Sequence, residues 1–197
     1  DSIPKPGQIA YTRQLEPLGL GHAIWCARNF LGSEPVAVLL ADDLILSEKG
    51  CLKQMIEAYD EIGGNMLAVM EVKNEQTSSY GIITPGAVEN SLIEVLGLIE
   101  KPEPSKAPSN LAIIGRYILQ PSIFDDLGRF EFGAGGEIQL TDSIAQQVGL
   151  ETINGFKFNG RRFDCGNKVG FLEANIAYAL NREDLRDPIQ QFIKTLS

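Results

Sequence analysis

Six apolar residues in a row, Val36-Ala-Val-Leu-Leu-Ala41, end abruptly in Asp42-Asp43. A short unbroken run of this kind reads as a strand buried on both faces, the habit of parallel sheets covered by helices. The next residues fit that reading. Ser47 can cap a helix whose Leu52, Met55, Ile56, Tyr59 and Ile62 fall on one face, and Gly63-Gly64 ends it. Residues 66–72 then form a second buried strand. Strand, helix, strand is the βαβ unit, and it commits this part of the chain to an α/β fold.

Beyond it the pattern changes. Residues 80–84 and 92–99 read as antiparallel neighbouring strands separated by Pro85-Gly86. A stiff loop with Pro102, Pro104 and Pro108 leads to a strand over 111–119 and a short helix over 121–127. Residues 137–148 read as helix, 152–158 as strand and 171–180 as helix; an earlier helix spans 22–31. A last helix is expected to start at Asp187-Pro188, with Ile189, Phe192, Ile193 and Leu196 as its stripe. That terminal segment, residues 181–197, either closes the core or meets a second subunit, and a homo-oligomer is expected.

With 197 residues, the chain is long enough to bury a substantial core in a single domain. Its 17 Lys and Arg against 26 Asp and Glu leave a net charge of −9 and no basic cluster, which argues against a nucleic-acid partner. The six-residue run falls far short of the ~20 apolar residues of a membrane-spanning helix. Cys26, Cys51 and Cys165 are odd in number and lack metal-ligand spacing, so a reducing, cytoplasmic setting is expected. The opening Asp1-Ser-Ile-Pro-Lys-Pro-Gly7 has neither initiator Met nor signal core and reads like a loop cut open, so a fragment is expected.

Several positions suit chemistry. In open α/β sheets ligands bind beyond the carboxyl ends of strands. There Asp42 can help hold Mg²⁺, although acidic residues also end strands merely by solvating a turn. Asp164, in Arg162-Phe-Asp-Cys-Gly166, is a second strand-end carboxylate, or alternatively a helix cap. Glu100 can accept hydrogen bonds from sugar hydroxyls, Lys101 can bind a phosphate, and Pro102 would stiffen both; as an isolated tripeptide the signal is weak. Gly19-Leu-Gly-His-Ala23 is a glycine turn opening a helix, where a planar base can lie against backbone. His22 beside it suits a structural role better than a catalytic one, and Cys165 lacks a partner base.

Taken in order, Arg13-Gln14, Gly19-Leu-Gly-His-Ala23, Glu34-Pro-Val-Ala-Val-Leu-Leu-Ala-Asp42, Tyr80-Gly81, Glu100-Lys-Pro102, Pro108-Ser-Asn-Leu-Ala112, Gly115-Arg-Tyr117, Gly133-Ala-Gly-Gly-Glu-Ile-Gln-Leu-Thr-Asp142 and Asp164-Cys-Gly166 carry a resemblance. The chain resembles the bacterial glucose-1-phosphate uridylyltransferases, or UDP-glucose pyrophosphorylases. The resemblance implies a Rossmann-like nucleotidyltransferase mixed sheet flanked by helices, and Mg²⁺-dependent transfer between UTP and glucose 1-phosphate. It implies that Gln14 and Gly19 face the uracil and that Gly81, Glu100 and Gly115 line the glucose. Asp42 and Asp164 would hold the metal, and Lys101 and Asp42 would carry the catalysis. Two features depart from the family. Ala41 and Asp43 flank Asp42 where many relatives have Pro and an apolar residue, which keeps Asp43 open as the ligand. The family's phosphate loop, of the form G-x-G-x-R, is not found in this sequence, so the N-terminal part of the family fold is expected to be missing. A thymidylyltransferase of related architecture, or an inactive portion that retains nucleotide-sugar binding and oligomer contacts, are the alternatives.

Overall fold

Every residue of the strand Leu111–Leu119 is buried, and the molecule is organised around it. The computed structural model describes residues 4–196; Asp1–Ile3 of the opening loop and Ser197 of the expected terminal helix lie outside them. In chain order the elements are α1 (Leu20–Cys26), β1 (Val36–Leu39), β2 (Asp43–Leu46), α2 (Cys51–Ile62), β3 (Asn65–Glu71), β4 (Gly81–Glu89) and β5 (Leu92–Glu100). They continue with β6 (Leu111–Leu119), α3 (Ile123–Leu127), α4 (Leu140–Gln146), β7 (Ile153–Lys157), β8 (Arg161–Asp164), α5 (Lys168–Asn181) and α6 (Glu183–Lys194). The six-stranded sheet runs β1-β6-β3-β7-β5-β4, and β2 pairs with β8 in a separate two-stranded ribbon.

Alternation along β6 divides the core in two. Leu111, Ile113, Tyr117 and Leu119 pack with Ile24, Ile123, Leu127, Ile138 and Ile144 on the side of α1, α3 and α4. Ile114 and Ile118 pack with Cys51, Met55, Met66 and Phe156 on the side of α2. A strand that feeds a cluster on each face takes apolar side chains on both, which is why β6 shows no polar alternation; its one charged residue, Arg116, is buried as well.

The expected mixed sheet flanked by helices is present, with corrections. Strands β1 and β3 both run antiparallel to β6, so they are parallel to each other but not neighbours. The parallel pair is β3 with β7, distant in sequence. Strand β1 is not buried on both faces: it lies at the edge of the sheet, and Leu39 is 51% exposed. Ser47 does not cap α2, because residues 43–46 are drawn into the ribbon with β8, and Gly50 precedes the helix instead. Ile56 and Ile62 of α2 stay exposed. Strand β4 runs through Pro85-Gly86 with register shifts, and the turn falls at Asn90-Ser91, where Asn90 has φ 54°. A proline lacks the ladder donor, so the pairing slips there rather than turning.

The helix expected over 137–148 shortens to α4, because Ile138 stays extended to bridge Leu18 and Gly21: its N–H donates to the Leu18 carbonyl (2.7 Å) and its own carbonyl accepts from Gly21 (2.9 Å). Helix α6 starts at Glu183 and carries Pro188 inside it, not at its first position. None of its residues is buried, so it does not close the core. Helix α5 turns small residues inward, Gly170 and Ala174, and leaves Phe171, Leu172 and Ile176 exposed. Among the described residues no helix is long and apolar enough to cross a membrane.

Candidate active site

A cavity of about 340 Å³ opens where β1, β4, β5, β6 and β8 end or bend, and Asp42, Gly81, Glu100, Lys101, Gly115 and Asp164 all line it. These residues are spread over more than a hundred positions of sequence, and sheet register is what gathers them. Gly81 sits opposite Glu100 in the β4–β5 pair. A Cβ at Gly81 would lie 2.8 Å from Thr141 Oγ1 and 3.1 Å from Glu100 Oε2, so glycine leaves Glu100 its place beside α4. Glu100's side chain is 11% exposed, and its Oε1 lies 3.6 Å from Lys101 Nζ. Lys101 adopts φ 45°, a left-handed conformation that its N–H secures by donating to the Tyr80 carbonyl (3.0 Å). The half-exposed ammonium is thereby kept beside the carboxylate.

Asp42 and Asp43, adjacent in sequence, have different surroundings. Asp43 is buried: its Oδ2 accepts from the Gly115 N–H (2.6 Å) and its Oδ1 from Arg162 Nε (2.5 Å). Arg162 also donates to the Tyr80 hydroxyl (2.8 Å). Burial alone would lower the Arg162 pKa, but the Asp43 carboxylate and Tyr80 hold it above the usual value. Arg116 donates to the carbonyls of Leu40, Asp43 and Gly115, which pins the turn after β1. Both oxygens of Asp43 are thus occupied by protein donors. Gly115 belongs to the same construction, since a Cβ there would come within 2.6 Å of Leu40 Cβ and 2.8 Å of Asp43 Oδ2.

Asp42 is exposed to the cavity, and the Cys165 N–H donates to its carbonyl (2.7 Å). An ideal Cβ at Gly166 would lie 3.1 Å from Asp164 Oδ1 and 3.4 Å from Asp42 Oδ2. The two carboxylates therefore face one small space, no farther apart than those two distances together. Asp164 does not cap α5; Asn167 does, its Oδ1 accepting from the Gly170 N–H (2.8 Å). Two carboxylates in an open, polar space suit a hard divalent cation that keeps water and phosphate oxygens as its other ligands. Among the described residues no group of three or more His, Cys, Asp or Glu is placed to hold a metal.

Gln14 and Gly19 lie outside the lining of this cavity, next to its Leu20 edge. Gly19 has φ 100°, and a Cβ there would strike Glu137 Cβ at 2.7 Å and the Ile138 carbonyl at 2.9 Å. The room that glycine leaves is used by chain packing. His22 is buried between Trp25 and Phe130, in keeping with a structural residue.

Sequence reasoning missed Arg116, Arg162 and the buried role of Asp43. For Arg162 a signal existed: it lies two residues before Asp164 on one strand, so both point to one face. For Arg116 the only local signal was its place inside the apolar run 111–119. Charge also shapes the surroundings: burial, then the charges of Glu100 and Asp43, push up the Tyr117 hydroxyl, and burial followed by Glu100 pushes up the Asp142 carboxyl.

Comparison with known proteins adds to this geometry. Residues 3–181 match the family model described as nucleotidyl transferase. UTP–glucose-1-phosphate uridylyltransferase 2 of Staphylococcus saprophyticus is 49% identical over 188 residues, which are 95% of this chain and 65% of that protein. A crystal structure of UDP-glucose pyrophosphorylase complexed with UDP-glucose is similar at TM-score 0.84 and 42% identity, covering 88% of this chain and 66% of that one. A UTP-bound UGPase from Acinetobacter baumannii is similar at TM-score 0.81 and 35% identity, over 92% of this chain and 64% of its own. The chain spans just under two thirds of the length of these relatives.

Proposed function

Because the chain belongs to the nucleotidyl transferase family, we propose that its cavity serves the transfer of a uridylyl group from UTP to α-D-glucose 1-phosphate, giving UDP-glucose and diphosphate. The observation that carries this reading is the pairing of Asp42 with Asp164 at one side of a cavity that holds Glu100 and Lys101 at another. A sugar phosphate needs a hydroxyl acceptor, a cation and a place for a metal-neutralised phosphate, and the cavity supplies each.

In this reading Glu100 accepts hydrogen bonds from the glucose hydroxyls, while Gly81 and Gly115 keep the adjoining walls at backbone level. Lys101 holds the sugar phosphate. Its oxygen attacks the α-phosphorus of UTP; that P–O bond forms as the bond to the bridging oxygen of the β-phosphate breaks, and diphosphate departs. Asp42 and Asp164 would hold Mg²⁺, which when bound neutralises charge on the phosphate oxygens. Asp43, Arg116 and Arg162 keep the turn bearing Asp42 rigid. Gln14 hydrogen-bonds the uracil edge, with Gly19 beside it. The relatives named for UDP-glucose and UTP support this choice of substrates.

Calorimetric titration with UDP-glucose and dTDP-glucose, with and without Mg²⁺, tests the reading. We expect UDP-glucose to bind more tightly than dTDP-glucose, and more tightly still with Mg²⁺. A preference for dTDP-glucose would move the assignment to thymidylyl transfer. Absence of binding to both would overturn the proposed function.

A further inference from the structure

Gln14 makes two hydrogen bonds through one nitrogen. Its Nε2 lies 3.0 Å from the Gly19 carbonyl oxygen and 3.0 Å from His22 Nδ1. The Gly19 oxygen can only accept, so the amide must turn its NH₂ group, not its oxygen, toward it. The same NH₂ group then faces Nδ1, and it too can only donate. Nδ1 must therefore be the unprotonated ring nitrogen, and the neutral imidazole carries its proton on Nε2. That proton has an acceptor: Nε2 lies 3.7 Å from Cys26 Sγ, one helical turn along α1. The stack on Trp25, with centroids 6.2 Å apart, and the tilted contact with Phe130 at 5.8 Å hold the ring in its plane.

From this chain of donors and acceptors we infer that His22 is a positioning residue: the Gly19 carbonyl sets the polarity of the Gln14 amide, and His22 takes up its second N–H, which would otherwise be free to donate, so that Oε1 alone is offered to the nucleobase. With both N–H groups committed, Gln14 presents an acceptor. It matches a base whose reading edge carries an N–H, as the imide of uracil or thymine does, and mismatches cytosine, whose ring nitrogen at that position is itself an acceptor. The inference rests on the base-reading role proposed above for Gln14. It adds that the discrimination depends on a histidine that does not touch the base.

The protein contains one histidine, so its ring nitrogens give an unambiguous ¹⁵N signal. A long-range ¹H–¹⁵N correlation spectrum of the neutral ring is expected to show a pyridine-type Nδ1 and a pyrrole-type Nε2. The opposite tautomer would overturn the inference, and this measurement needs no variant. Affinities for UDP-glucose and CDP-glucose then separate the roles. In His22→Phe the uracil preference should fall by about tenfold, the worth of one hydrogen bond, with affinity for glucose 1-phosphate unchanged. In His22→Asn, whose Oδ1 can stand where Nδ1 stood, the preference should return to within about twofold of the original, since the acceptor is restored. If Gln14→Ala loses the preference while His22→Phe keeps it, the base reading stands and the positioning role is wrong. If Gln14→Ala keeps it, Gln14 does not read the base and both fail.

Discussion

Strand β6 and the pair α5–α6 are both marked by apolar residues, yet all nine residues of β6 are buried while α6 buries none. Helix α5 makes the contrast sharper, because its inward residues are the small ones. A Cβ at Gly170 would fall 1.9 Å from the Asp164 carbonyl oxygen. The helix approaches the strand end that bears Asp164 so closely that no larger residue fits at Gly170, and Phe171, Leu172 and Ile176 stay exposed. Apolar character shows only that a residue can be buried, and the neighbours available to it decide the outcome.

The hardest test of this contrast is at the middle of β6, where Asp43 bonds Gly115. Asp43→Ala would leave Arg162 buried without its carboxylate and should cost about 3–5 kcal/mol in urea unfolding. Asp42→Asn, one residue away and exposed, should stay within about 0.5 kcal/mol. It should still abolish any tightening of UDP-glucose binding by Mg²⁺. Equal stability losses would mean that Asp43 is not the structural partner described.

Within β6, Leu119→Ala removes a fully buried side chain and should cost about 2–4 kcal/mol, read by the same unfolding curves. On α6, Phe192 is 58% exposed, and Phe192→Ala should change stability by less than about 0.5 kcal/mol in the monomer. A loss comparable to that at Leu119 would show that α6 is covered in solution.

A smaller effect concerns Asp142. Its carboxyl is raised by burial and by Glu100, so the folded protein keeps a proton that the unfolded chain has released. The associated stability is present below the unfolded value of about 4 and is lost as pH rises through the folded value. Asp142→Asn should therefore flatten the decline in stability from about pH 4 upward, and solvent exposure keeps the change small. An unchanged slope of thermal midpoint against pH would contradict it.

Much of the fold was legible because burial on both faces leaves an unmistakable apolar run. The bounds of β6 read from the sequence coincide with those observed, and α2 ends at Gly63 as expected, although with φ 64° and ψ −158° that residue is not in the left-handed helical conformation. The turn at Asn90-Ser91 was hidden by the louder signal of Pro85-Gly86, and the strand Asp43–Leu46 by a plausible helix cap at Ser47. At the site, Asp42, Glu100, Lys101 and Asp164 could be named because strand-end carboxylates and a cation before proline suggest chemistry locally. Arg116 was not, since an arginine's burial is a property of its partners, and Arg162 had only its spacing from Asp164 to mark it.

The sequence by itself determined the α/β class, the end of α2 at Gly63, and the chemical character of Asp42, Glu100, Lys101 and Asp164, because backbone propensity, periodicity and side-chain chemistry act over a few neighbours. Tertiary structure alone decided that β6 would part β1 from β3, that Asp43 would be locked while Asp42 stayed open, and that His22 would meet Gln14. Those outcomes depend on register and on contacts between residues far apart in the chain, and a hydrogen bond or an ion pair is specified only when both of its partners are in place.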